Sequence, residues 1–164
     1  MSRAILPLVL LVPLVSACGE PKEKLVYPTD EKAMDAAIAE AKANQSVFWA
    51  KFDAASQPKD AEYQIKVRVP TPPHGDEFIW MDVVNRRGDE VTGILENEPV
   101  KFSGYRLGQT MTVKATEVSD WAYLKNGKYY GHFTTRLLMP QLPRDEQAQT
   151  KAMLWPTALE EPAK

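Results

Sequence analysis

The chain has 164 residues, 44% of them hydrophobic and 26% charged, which suits one globular domain with short extensions. Its formal net charge of −2 is spread along the chain, so the clustered basic face of a nucleic-acid binder is missing. One cysteine and two histidines, His74 and His132, exclude an internal disulfide and a multi-cysteine zinc site. No phosphate loop, dinucleotide fingerprint or metal-ligand spacing is present; the reading therefore assigns no cofactor and no metal.

At the N-terminus Arg3 precedes an almost wholly apolar run from Ala4 to Val15. That run has the length of a signal peptide's apolar core and is too short to span a bilayer. Small residues, Ser16 and Ala17, then lead into Cys18. The arrangement resembles the lipobox of bacterial lipoproteins, in which the signal is cut before a cysteine that carries the lipid. It predicts a signal peptide over residues 1–17, a lipidated Cys18, and a polar tether over 18–28. Two or three acyl chains anchor a protein stably where one does not. By the enteric sorting pattern, Gly19 after the cysteine favours the outer over the inner membrane. The expected location is the cell envelope, facing the periplasm.

Beyond the tether, Thr29 or Asp30 can cap a helix, and Met34, Ala37, Ile38 and Ala41 recur at helical spacing; this predicts a helix over 30–44 that buries its Met34–Ile38 stripe on a sheet. Val47–Phe52 (VFWAKF) reads as a strand. Tyr63, Ile65, Val67 and Val69 alternate with Gln64, Lys66 and Arg68 in a half-buried strand. Glu77–Asn85 is apolar on both faces, which predicts a central strand. Arg86–Asp89 turns the chain into a return strand over 90–96. Met111, Val113 and Ala115 mark a further strand, with a bulge expected near Glu117. After Met139, residues 145–154 suit a short helix, and Pro156–Lys164 a loose tail.

Asn126-Gly127 is a strong two-residue hairpin signal. If these two form the loop, Lys125 faces Lys128, Tyr123 faces Tyr130 and Trp121 faces His132. Alternation then puts Ala122, Leu124, Tyr129 and Phe133 on a core face, and Trp121, Tyr123, Tyr130 and His132 on the other. The second face, aromatic and rich in polar handles, suits a recognition surface, with Arg136 an additional candidate. It suits equally a seat for the N-terminal helix or the C-terminal segment.

The series FWAKF, EFIWM, GILENEP, SDWAY and GHFTTR resembles the YegJ-like family of bacterial domains. These motifs fall on Phe48–Phe52, Glu77–Met81, Gly93–Pro99, Ser119–Tyr123 and Gly131–Arg136. The resemblance covers about Ala33 to Leu138 and implies the fold and its boundaries, with no established activity. Ala122 departs from the family's usual Met.

The expected fold is therefore α+β: an N-terminal helix packed on a bent antiparallel sheet, or partly open barrel, over 29–139. A C-terminal extension, short helix or tail, follows over 140–164. The expected function is a lipid-anchored envelope protein that binds an unidentified protein or ligand through Trp121, Tyr123, Tyr130, His132 and Arg136. Two alternatives stand beside it. One is a small hydrolase-like enzyme using Asp120 and His132, although no nucleophile-elbow context surrounds Ser119. The other is a purely structural lipoprotein.

Overall fold

A computed structural model of the chain describes residues 30–55, 63–73 and 75–161. The signal peptide, Cys18, the tether and His74 lie outside the described residues.

Helix α1 spans Glu31–Ala43. The Asp30 carboxylate accepts from the Ala33 N–H at 3.1 Å, satisfying one of the donors a helix start leaves free. Asn44 ends α1 and starts α2, Gln45–Ala54. The expected VFWAKF strand is therefore a helix. Its apolar residues satisfy either period: Phe48 and Phe52 are four apart, so with Trp49 they share one helical face. That face packs edge to face, with Phe48–Trp49 ring centroids 4.7 Å apart and Trp49–Phe52 6.0 Å apart.

Six antiparallel strands follow: β1 Tyr63–Pro70, β2 Asp76–Arg87, β3 Glu90–Leu95, β4 Thr110–Lys114, β5 Val118–Lys125 and β6 Lys128–Gly131. Their order is β4-β3-β2-β1-β5-β6. A 3-10 turn, Ala115–Glu117, is all that joins β4 to β5. Four residues reach at most about 14 Å, yet β4 and β5 are four strand spacings apart, about 19 Å in a flat sheet. The sheet must therefore curl, and it forms a bent sheet that stops short of a closed barrel. A cleft of about 200 Å³, lined by Val67 and Val69 of β1, Met111 and Val113 of β4, Phe102 and Tyr105, together with the polar Arg68, Thr112 and Glu117, lies where β4 comes round towards β1.

The inner face carries the core. Ile65, Val67, Ile79, Met81, Val91, Leu95 and Trp121 are fully or almost fully buried together with Phe48 of α2. Strand β2 is central in pairing, between β1 and β3. It is not buried on both faces, because its outward residues Phe78 and Val84 are 37% and 52% exposed. The expected bulge sits at Ser119: Lys66 pairs with Asp120 and Val67 with Val118, leaving one residue of β5 over. Beyond β6 come α3, Phe133–Leu138, a 3-10 turn at Met139–Gln141, and α4, Arg144–Met153.

Several motif residues act as fasteners. The buried Glu77 carboxylate accepts from the N–H groups of Val100, Lys101 and Phe102 at 2.5, 2.8 and 2.8 Å, and so holds the loop after β3. Asn97 Oδ1 accepts from the Trp80 N–H at 2.7 Å. At Gly93 a Cβ would lie 2.7 Å from the Asp82 carbonyl oxygen, so only glycine fits there.

Candidate functional site

The last hairpin forms in the expected register, from Lys125 opposite Lys128 to Ala122 opposite Gly131. Asn126 and Gly127 both take positive φ, 52° and 74°, as a type I′ turn requires. Its faces are the reverse of a recognition surface. Trp121 is 1% and Tyr123 3% exposed. The Trp121 indole donates to the Ala41 carbonyl of α1 at 2.8 Å and packs on Phe48, with ring centroids 5.6 Å apart. Side chains long enough to bridge sheet and helix are the ones buried there, so this half of the candidate set is core.

The C-terminal segment covers the rest. Leu154 bridges Tyr129 in parallel, and the Trp155 ring stacks on Tyr130 at 5.4 Å. Gly131 N–H donates to the Ala158 carbonyl at 2.7 Å. Glu160 accepts from Tyr123 Oη at 2.7 Å and pairs with Lys51 and Lys125, each at 2.8 Å. Arg136 holds the same segment: Nε donates to Gly131 O at 2.7 Å, and its two terminal nitrogens donate to the carbonyls of Trp155 and Thr157 at 2.8 and 3.2 Å. The loose tail expected over Pro156–Lys164 is, in its described part, a strap on the β6 edge. Tyr130 and Arg136 are committed to it.

Asp120 is likewise committed. Its carboxylate accepts from the N–H groups of Trp121, Phe133 and Thr134 at 2.8, 3.1 and 2.8 Å, and from Thr134 Oγ1 at 2.6 Å. It ties β5 to the start of α3. Burial raises its pKa while these hydrogen bonds and the Lys66 charge pull it down. The Asp120–His132 pairing of the enzyme reading does not form, because the His132 ring bonds Thr135. Ser119 Oγ donates to the Lys66 carbonyl at 2.9 Å.

His132 keeps its expected partner through the backbone alone, its N–H donating to the Trp121 carbonyl at 2.9 Å, while its side chain departs. Gly131 and His132 have φ of +77° and +56°, and two successive left-handed residues break the strand's alternation. Phe133 therefore joins Trp121 in the core, with ring centroids 5.3 Å apart. His132 lands on the outer face of the sheet, between Trp80 at 4.7 Å and Tyr129 at 5.2 Å. It is 5% exposed. Its Nδ1 lies 3.2 Å from Thr135 Oγ1, and its Nε2 is buried with no hydrogen-bond partner. Burial, then the charges of Arg136 and Lys66, press its pKa down to about 3, so the imidazole is neutral.

Beside it stands Lys66, the cross-strand partner of Trp80 and of Asp120. Its ammonium lies 5.5 Å from the ring centroids of both Phe78 and Trp80 and donates to Thr134 Oγ1 at 3.1 Å. Burial lowers its pKa against the raising effect of Asp120. Perturbed groups gathered at one place are a functional signal. Lys66, Trp80 and His132 on the outer face are thus the candidate site. Sequence reading passed over Lys66 and Trp80; the alternation that placed Lys66 opposite the core face was the signal available. Among the described residues no group of three or more His, Cys, Asp or Glu is placed to hold a metal.

The fold and this site define a small bacterial α+β domain of curled sheet, helical cover and C-terminal strap. The chain belongs to the family described as "Uncharacterized protein conserved in bacteria (DUF2314)", which it matches over residues 31–154. It is 29% identical over 156 residues to "Uncharacterized protein YegJ" of Escherichia coli (strain K12), covering 94% of this chain and 99% of that protein. It is 30% identical over 76 residues to "Putative ankyrin repeat protein NMB1133/NMB1171" of Neisseria meningitidis serogroup B (strain ATCC BAA-335 / MC58), covering 46% of this chain and 30% of that protein. No solved structure gives a significant match.

Proposed function

We propose that the chain is a lipid-anchored protein of the bacterial cell envelope whose domain is a binding module. The anchor reading is supported by Arg3, the apolar run to Val15, and the small residues before the single Cys18. The binding site is the outer sheet face around Lys66, Trp80 and His132. One observation carries it: the buried, unpartnered Nε2 of His132. Buried polar atoms are nearly always satisfied, and leaving one unmade costs about 1–3 kcal/mol. A fold retains such an atom against that cost when a bound group completes it.

Two measurements test the two halves. Cells fed labelled palmitate should incorporate the label into wild type and not into Cys18→Ala; unlabelled wild type sinks the anchor. Crosslinked co-purification should recover a specific partner with wild type and lose it with Lys66→Gln/Trp80→Ala, circular dichroism showing that both fold. Equal recovery with the variant sinks the site.

A further inference from the structure

The outer-face cluster holds hydrogen-bond donors that lack acceptors. Lys66 forms no ion pair among the described residues, and one of its three N–H groups is used, on Thr134 Oγ1. That hydroxyl spends its own proton on Asp120 Oδ2, so towards Lys66 it is an acceptor. Asp120, the carboxylate opposite Lys66 in the sheet, already takes four donors. On the next cross-strand pair, Asp82 accepts from the Gln64 amide at 2.9 Å. Arg136 on α3 has its guanidinium on three backbone carbonyls. The carboxylates at the site take their hydrogen bonds from other donors, Asp120 acts on the ammonium through its charge, and the ammonium is left with spare donors.

His132 adds another. With the Thr135 hydroxyl as donor to Nδ1, one of the two directions that contact allows, the single imidazole proton sits on Nε2, where no described residue accepts it. Both the imidazole and the ammonium lie against the indole of Trp80. Half-buried Trp80 and Tyr129 enclose the ring, and the exposed Phe78 and Ile94 extend the same face outwards.

We propose that Lys66 Nζ and His132 Nε2 form a binding site for an oxyanion, a carboxylate or a phosphate, with Phe78 and Trp80 holding the apolar part of the same ligand. Charge-assisted hydrogen bonds from a partly desolvated ammonium are the strong kind, and a few converging polar groups in an apolar surround are what orient a small ligand. Nε2 is buried where the ring lies between Trp80 and Tyr129, so a ligand reaches it when one of these side chains turns aside. The inference rests on the outer-face reading above and is independent of the lipid anchor.

The test is nitrogen-15 NMR of the histidine rings in the full-length protein in detergent, titrated separately with inorganic phosphate and acetate. The chain has two histidines, so His74 is an internal control. The expected result is a saturable shift of the His132 Nε2 signal with no matching shift at His74, weakened about tenfold or more in Lys66→Gln and retained in Lys66→Arg. The unliganded His132 spectrum of each variant reports that the site still folds. A response to phosphate alone, or to acetate alone, supports the site and names its anion. No response to either, or an undiminished response in Lys66→Gln, overturns it. If neither anion binds while Lys66→Gln/Trp80→Ala still loses the captured partner, the oxyanion falls and the outer-face binding surface stands.

Discussion

His132 is held against two costs, one of backbone and one of burial. A non-glycine residue at φ +56° costs on the order of 1–3 kcal/mol, and its ring is buried neutral between Trp80 and Tyr129. The second cost depends on pH. Folded, the imidazole takes a proton only near pH 3; unfolded, it takes one near its ordinary value of 6.5. Between those values the unfolded chain binds the extra proton, so stability is complete above pH 6.5 and falls on acidification by about 1.4 kcal/mol per unit. Asp120, whose pKa burial raises, acts in the opposite sense, so the comparison must be with a variant. Urea midpoints of wild type should fall between pH 6.5 and 4.5, and those of His132→Asn should fall less. Parallel curves would mean that the folded ring takes its proton at the same pH as the unfolded one.

At the scale of elements, the junction of β6 with α3 decides which residues are core. Legibility stops there for a physical reason. Asn126-Gly127 sets the hairpin register through local turn chemistry, and the pairs follow from it. Which face is buried depends on what packs against it, and α1 and the strap come from elsewhere in the chain. Period-2 alternation also cannot foresee two left-handed residues that exchange the faces of His132 and Phe133. VFWAKF differs, because six residues with aromatics four apart fit helix and strand alike, and a second helix starts directly at Asn44, the residue that ends the first. The α+β class, the order β1 to β6 and the C-terminal helix were all readable from period and turn signals. The junction itself is testable at Gly131. A Cβ there would lie 2.1 Å from the Trp121 carbonyl oxygen at a backbone φ of +77°. Gly131→Ala should lose about 2–4 kcal/mol from strain and overpacking together, read as a lower denaturant midpoint. Gly127→Ala, at φ +74° with open space around it, should lose less, since strain acts there without the clash.

For the whole molecule, a curled sheet leaves β6 as an edge strand, and exposed edges invite pairing with other chains. The strap removes that edge. It buries Leu154 to 4% exposure, and Trp155 N–H donates to the Tyr129 carbonyl at 3.0 Å while Gly131 N–H donates to Ala158 O at 2.7 Å. Its last contact among the described residues is the Glu160 carboxylate. Burial would raise that pKa, but the hydrogen bonds from Lys125, Lys51 and Tyr123 outweigh it and hold it down to about 2. The clip is therefore fully made above about pH 4.5, the carboxyl's ordinary value, and is lost as pH falls towards 2. Ending the chain at Met153 removes one buried leucine, an aromatic stack and both edge bonds, and strips Arg136 of two acceptors. The expected loss is on the order of 3–5 kcal/mol, seen as a lower melting temperature and concentration-dependent association through the freed edge. Glu160→Gln in the full chain should leave the edge paired and the protein monomeric, while proteolysis reaches the C-terminus faster. A truncated chain as stable as wild type and no more prone to associate would show that the domain is complete without its strap, and that the described residues after α4 add contacts without closing the fold.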